Sequence, residues 1–473
     1  MKIVILAGGI GKRIAPLGIH KPKSMFQIMG KPILLHVIDQ VVAANIPVEE
    51  AIIVIGPGES QIREYIEAKT DLPFPVRFTI QEQPLGQANA MSTARPYLQD
   101  NFLVLNANDI YDPALLTDLT AKAAAESWDV GLVGQTREDY WNYGVMRLDG
   151  QHKLVGVVEK PPRDSQIESG VIVLGIYYFS PRIWSALDET PIQEKDDQLE
   201  RAYQKLITHH NSGYIQYDAN EHYSGKFASY KYPWHLFDIS AILLGRIQGV
   251  HISPNCSISP MAVIDGNVIL ESGVRVFEFS VIHGPAYIGK DSIIGNNTLL
   301  RGGVSLGAGC VVGFGTEIKH AILGEGVWMH KNFIGDSIIS DRCSFGAGTI
   351  TANLRFKEDA VSFKVNADQP RVSTGTEYFG MIMAEDCRTG CNSVLSPGVK
   401  IGPNSIVEAG VVLKQDLPPN SIASKVKNSV EIRPSEIDIH ALSEKRNEHK
   451  KKTRKISGER GQCEQVQKAA FKI

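Results

Sequence analysis

Residues 5–25 read ILAGGIGKRIAPLGIHKPKSM. An apolar run ends in Gly8, Gly9 and Gly11, and Arg13, Pro16, Pro22 and Lys23 follow closely. Glycines let backbone N–H groups approach an anion, and a helix starting directly after them would add its dipole. Arg13 and Lys23 then supply the positive charge that a polyphosphate and its transfer need. Farther on, FLVLNAND ends in Asp109, a hard oxygen donor of the kind Mg2+ prefers. Taken alone, the same aspartate could equally be a turn or helix-cap residue. Together these residues point to nucleotide phosphate chemistry.

Such residues need a frame to hold them. From Met1 to about Gly245, KIVILA, AIIVIG, VRFTIQ, FLVLNAND, DVGLVGQT and VIVLGIYYF read as strands, being short, β-branched and bounded by turn formers. Helical stretches such as ILLHVIDQVVAAN and GQANAMSTARPYL lie between them. This alternation predicts an α/β, Rossmann-like domain with a mainly parallel sheet and helices on both faces. Ligands of such sheets sit beyond the carboxyl ends of the strands, where both the glycine turn and Asp109 fall.

After about Val250 the pattern changes. Ile252, Ile258, Ile264, Leu270, Val276, Ile282, Ile288, Ile294, Leu300, Leu306, Val312 and Ile318 stand six residues apart. Neither the 3.6 period of a helix nor the 2 of a strand explains this; a solenoid of very short strands does. The register resumes at Leu395, Ile401, Val407 and Leu413. Residues 319–394 are expected to break it, and loops leaving a regular solenoid often carry function. The expected division is 1–248, 249–428 and a charged tail over 429–473.

Composition limits the partners. A chain of 473 residues implies two or more domains. Its net charge of −3 gives no bulk attraction to nucleic acid or an anionic membrane, and no apolar run approaches the roughly 20 residues of a membrane helix. MKIVILAGG reads as a buried strand rather than a signal peptide. The six cysteines are scattered, and Cys387 and Cys391 have no second pair to complete a zinc set. Buried thiols in a reducing cytoplasm are expected.

The first half resembles the sugar-phosphate nucleotidyltransferase family, with its G-G-x-G-x-R…P-K signature at Gly8, Gly9, Gly11, Arg13, Pro22 and Lys23. QEQPLGQA, NAND, NYGV, VVEKP and LGIYY follow in the family's order. The resemblance implies that Leu6, Ala7, Gly8, Gly9, Gly11, Gln81 and Gly86 bind the nucleotide, and that Arg13, Lys23 and Lys160 are catalytic. It assigns Gly144, Glu159, Lys160 and Gly175 to the sugar phosphate and Asp109 to Mg2+. On their residues alone, Gly144 and Gly175 could be strand kinks, and Glu159 and Lys160 an exposed ion pair. The family places a second metal-ligating Asp shortly before YPW; Ser229 stands there, and Asp238 is expected to face elsewhere.

The second half, with FGAGTITAN and SPGVKIG, resembles the left-handed β-helix acyltransferases. More narrowly it resembles bifunctional UDP-N-acetylglucosamine pyrophosphorylase/glucosamine-1-phosphate acetyltransferases, including archaeal-type relatives. That implies sugar-phosphate contacts at Arg301, Lys319 and Asn353, and His330 as general base, with Phe333 where the family has tyrosine. The implied substrates are an NTP (UTP by resemblance), a sugar 1-phosphate and acetyl-CoA, and the implied assembly is a homotrimer. The departures at Ser229 and Phe333 leave two alternatives: a catalytically impaired regulatory or scaffolding subunit, or a chain active only in acetyl transfer.

Overall fold

The computed structural model describes every residue except 10, 70, 164–169, 194–196, 219–222, 224–226, 366–369, 427–428, 436–443 and 445–473. It divides into two compact units, Met1–Arg246 and the residues from Ile247 on. Most of the expected charged tail, and Cys463 within it, lies outside the described residues.

The first unit is built on a nine-stranded sheet. Strand Lys2–Leu6 lies at its centre, flanked in parallel by Glu50–Ile55 and Phe102–Asn106, with Val76–Ile80 beyond Glu50–Ile55. Alternation along these strands feeds two cores. Ile3, Ile5, Ile53, Leu103 and Leu105 pack on one side, while Val4, Ile52, Val54, Phe102 and Val104 pack on the other. Burial on both faces explains why the strands read as unbroken apolar runs.

Beyond Phe102–Asn106 the sheet turns antiparallel, against the expectation of a mainly parallel one. Val171–Phe179 runs antiparallel to Phe102–Asn106 and to Val130–Thr136, and the hairpin Gly144–Leu148/Leu154–Glu159 extends that edge. Hairpin turns are short, whereas parallel pairing requires a long crossover. The register of Val171–Phe179 slips between Val173 and Tyr177, a bulge that spans Gly175.

The second unit is a left-handed parallel β-helix whose three sheets have, among the described residues, eight, ten and eight strands, mostly two or three residues long; the last of the ten, Ser429–Pro434, runs antiparallel to Ser421–Val426. Val276 pairs with Ile294 and Ile282 with Leu300, eighteen residues on, or three hexads per coil. The column from Leu270 to Ile318 is 0–2% exposed. Ile252, in the first coil, is 53% exposed because one side of it has no coil to cover it. Coils approach so closely at Gly289 that a Cβ would come within 2.5 Å of the Gly307 backbone.

Residues 319–394 break the six-residue count, as expected, while the solenoid itself continues through them. Ile318 pairs with Ile334 and Leu323 with Ile339, so these coils are sixteen residues long. Shorter corners move Leu323, Met329, Ile334, Ile339 and Phe345 out of the six-residue count while keeping them buried in the same core. An excursion among the described residues of 352–379 carries the hairpin Ser362–Lys364/Arg371–Ser373 before the ladder resumes with Ile339 beside Met383.

Cys256, Cys310, Cys343, Cys387 and Cys391 are free thiols. No helix among the described residues is long and apolar enough to cross a membrane.

Candidate functional sites

The end of strand Lys2–Leu6 opens into a cavity of about 470 Å³. Leu6, Ala7, Gly8, Gly9 and Gly11 form one wall, Arg13 and Lys23 close it, and Gln81 and Gly86 line the opposite side. Gln81, just past Val76–Ile80, donates to the Gly86 carbonyl and to Asn89 Oδ1, each at 3.0 Å. Gly11, at φ 68°, bends the chain into the three-residue 3-10 turn Lys12–Ile14. No long helix follows the glycines, so the expected dipole is missing. Anion attraction here rests on backbone amides and side-chain cations.

A second cavity, of about 430 Å³, adjoins the first and shares Arg13, Gln87, Asn106 and Lys231 with it. Asp109, Gly144, Glu159, Lys160, Gly175 and Ser229 line it. Asp109 is almost fully buried, yet its oxygens accept three hydrogen bonds. These come from Asn106 Nδ2 at 3.0 Å, Asn108 Nδ2 at 2.9 Å and the Ser229 hydroxyl at 2.6 Å. The serine is delivered by the antiparallel pairing of Ala228–Ser229 with Asp109–Ile110. Gly175 makes this approach possible, since a Cβ there would lie 1.7 Å from Asn106 Nδ2 and 2.8 Å from Asp109 Oδ2. Gly144 pairs with Glu159 across the edge hairpin, and a Cβ there would come within 2.9 Å of Glu159 Oε2. Glu159 in turn meets Lys160 Nζ at 3.1 Å.

Charge in the two cavities is strongly perturbed. Burial pushes Lys23 down to about 8, with repulsion from Arg13 and Lys231 adding to it and Asp109 opposing it. Lys231 is lowered for the same main reason. Burial raises the Asp109 carboxyl above the ordinary range, against the hydrogen bonds from Ser229 and Asn106 and the pull of both lysines. Burial holds His235 near 4 and therefore neutral, and its Nδ1 lies 2.9 Å from the Ser229 carbonyl and 3.2 Å from the Lys231 backbone N–H.

Several lining residues escaped sequence reasoning. Asp238 faces the second cavity, contrary to expectation. The helix His235–Gly245 begins directly after Trp234, which sets His235 and Asp238 one turn apart on the same side. Gln87 stands in QEQPLGQA and Asn106 and Asn108 in NAND, each beside the residue that the motif assigns a role, whereas Lys231 belongs to no motif. A cation two residues beyond the missing carboxylate was the available signal for Lys231.

Among the described residues no cluster of three His, Cys, Asp or Glu side chains could hold a metal. One carboxylate plus substrate phosphates is nevertheless a usual way to hold Mg2+. Asp109, whose present partners Asn106, Asn108 and Ser229 are all neutral donors, fits that role as a single protein ligand.

In the β-helix, Arg301 and Lys319 end strands on successive coils. Lys319 Nζ lies 3.3 Å from Asp336, Asn353 Nδ2 donates to Asp336 at 2.5 Å, and His320 Nδ1 meets its other oxygen at 3.0 Å. Burial alone would raise the Asp336 carboxyl, but the hydrogen bonds from His320 and Asn353 and the Lys319 charge hold it below its ordinary value. Lys319 and Asn353 thus meet through a residue that no motif named. Arg301 is paired with Glu317 at 2.9 Å. His330 is exposed at a corner before Phe333–Gly335, and among the described residues its imidazole has no hydrogen-bond partner. Structure therefore groups Lys319 with Asn353, and leaves Arg301 and His330 outside that cluster.

A nucleotidyl transferase family model matches residues 2–230, and a model of six bacterial transferase hexapeptide repeats matches residues 285–320 and 380–415. A bifunctional protein GlmU of Methanococcus vannielii is 32% identical over 90% of this chain and 98% of its own length. A protein of the same description from Methanocaldococcus jannaschii is 31% identical over 90% and 98%. A bifunctional sugar-1-phosphate nucleotidylyltransferase/acetyltransferase of Sulfurisphaera tokodaii is 30% identical over 88% and 98%.

Proposed function

From the family of bifunctional sugar-1-phosphate nucleotidyltransferase/acetyltransferases, to which the chain belongs, we infer an enzyme that joins a nucleoside triphosphate to a sugar 1-phosphate. The products are a nucleotide sugar and pyrophosphate. The observation that carries this reading is the meeting of two cavities, one walled by the glycine turn and one holding Asp109 and Lys160, along shared residues.

In the proposed step an oxygen of the sugar phosphate attacks the α-phosphorus in line. A P–O bond forms as the bond to the β-phosphate breaks, and the electron pair leaves with pyrophosphate. No protein nucleophile is needed; position and charge supply the catalysis. Backbone amides around Gly8, Gly9 and Gly11 hold the triphosphate, with Leu6, Ala7, Gln81 and Gly86 around the nucleoside. Arg13 and Lys23 neutralise the departing pyrophosphate. Lys160 holds the sugar phosphate, with Gly144, Glu159 and Gly175 shaping its pocket. Mg2+, anchored by Asp109, would supply further charge neutralisation.

The β-helix carries a second reaction in this reading, acetyl transfer from acetyl-CoA to an amino-sugar phosphate. The amine attacks the thioester carbonyl and His330 accepts its proton; as the new C–N bond persists, the C–S bond breaks with its pair on sulfur, and the CoA thiolate takes that proton back from His330. Arg301, Lys319 and Asn353 hold the phosphorylated sugar, for which Arg301 must give up Glu317 and Lys319 must share Asp336. Residues 1–248 and 249–428 carry the two reactions, UTP is the favoured triphosphate, and the enzyme works as a cytoplasmic homotrimer. Ser229 opposite Asp109 favours one competing reading, a subunit that binds nucleotide without turnover.

A matrix of nucleoside triphosphates against sugar 1-phosphates, assayed for pyrophosphate with Mg2+, separates the readings. Turnover with at least one pair is expected. Binding without turnover for every pair would establish the competing reading. Thiol release from acetyl-CoA with an amino-sugar phosphate tests the second reaction.

A further inference from the structure

Lys231 is unexplained by any motif, yet it lines both cavities. Its ammonium lies 4.4 Å from the centroid of the Tyr143 ring, and among the described residues it has no ion-pair partner. Arg13 and Lys23 also lack one; Lys23 lies over the Tyr230 ring at 5.5 Å. Arg13, Lys23 and Lys231 thus border the cavities around a single deeply buried carboxylate, Asp109. Lys23 and Lys231 are partly buried while Arg13 is exposed beside them, and like charges brought together partly out of water cost free energy unless an anion enters between them. The arrangement is a receptor for something carrying several negative charges.

Position identifies the part of that anion which Lys231 meets. With the triphosphate along the glycine turn and the sugar phosphate beside Lys160, the junction of the cavities is where the attacking oxygen reaches the α-phosphorus. We propose that Lys231 is a catalytic residue that contacts the nonbridging oxygens of the α-phosphate during transfer. This rests on the nucleotidyl-transfer reading above. A fixed ammonium would then supply charge at the reacting phosphorus in a chain that has Ser229, rather than a second carboxylate, facing Asp109. The ammonium keeps its proton throughout: the sugar-phosphate oxygen forms the new bond to phosphorus, and the bond to the β-phosphate breaks with its pair on pyrophosphate.

The test uses full-length Lys231→Met and Lys231→Arg beside the wild type. Pyrophosphate release at saturating substrates is expected to fall about 10²–10³-fold in Lys231→Met, the usual loss when one preorganised charge-stabilising donor is removed, and to recover in part in Lys231→Arg. Equilibrium dialysis with the triphosphate in the absence of Mg2+ is expected to show about 3–10-fold weaker binding by Lys231→Met, a change that loss of a mere cavity liner would not produce. Should Lys231→Met melt early, Lys231→Gln carries the same comparison. A Lys231→Met enzyme within threefold of an active wild type, with unchanged Mg2+-free binding, overturns the assignment alone. A wild type that releases no pyrophosphate with any pair overturns the nucleotidyl-transfer reading and the assignment with it.

Discussion

The Ser229 hydroxyl donates to the Asp109 carboxylate at 2.6 Å, across a strand pairing that sets the two residues face to face. A neutral donor at this position satisfies a buried carboxylate. A second carboxylate would repel it unless a cation lay between them. The pairing therefore fixes how much of the site's positive charge must come from lysine and arginine.

Replacing Ser229 with Asp tests this directly. In Ser229→Asp the paired carboxylates should lower the melting temperature without divalent cation. Saturating Mg2+ should then stabilise the variant by about 1–3 kcal/mol more than it stabilises the wild type. Thermal melts with and without Mg2+ measure the difference. Equal shifts in the two proteins would show that position 229 does not face a metal.

Lys23 predicts a trade between stability and activity. Its folded value, about 8 against an ordinary 10.5, means the unfolded chain binds more protons between those limits, so stability rises with pH across that window. Below about pH 8 the buried charge opposes folding in full. Lys23→Met should therefore gain on the order of 1–3 kcal/mol at pH 7 in denaturant melts, lose that advantage as pH climbs toward 10.5, and show little nucleotidyl transfer.

Gly175→Ala introduces a methyl group 1.7 Å from Asn106 Nδ2 and 2.8 Å from Asp109 Oδ2. The bulged strand cannot relieve that without moving the aspartate. A loss of about 1–3 kcal/mol in stability is expected, with a loss of pyrophosphate release larger than the mild destabilisation explains. Melts and rates measured on the same preparation check both.

Asp336 should give the β-helix a pH signature. Hydrogen bonds and the Lys319 charge outweigh burial and hold its carboxyl below the ordinary 3.8. That stability is present above the unfolded value and disappears as pH falls through the lower, folded one. Asp336→Asn should be less stable than the wild type at pH 7, and the gap should close below pH 3.8. Urea melts across that range decide it.

How far the sequence could be read depended on periodicity and on its failures. Lys2–Leu6 and the hexads from Leu270 to Ile318 were legible because each repeats a single burial environment at a fixed spacing. The count failed at Leu323, where shorter corners preserve the inward column while changing its spacing. The antiparallel half of the sheet was hidden, since strand composition says little about direction. Arg13 and Lys23 announced themselves through the glycine turn before them, and Asp109 through the strand end NAND. Lys231, Asp238 and Asp336 did not, because their roles arise from long-range placement: a strand opposite Asp109, a helix start after Trp234, and a corner beside Lys319 and Asn353.

The position of a bound triphosphate is the most direct measurement. A crystal structure with a slowly hydrolysed nucleoside triphosphate should place its phosphate oxygens about 3 Å from the backbone amides around Gly8, Gly9 and Gly11 and from Arg13 and Lys23, with the α-phosphate beside Lys231. Nucleotide bound elsewhere on the chain, with that cavity left to solvent, would contradict the account.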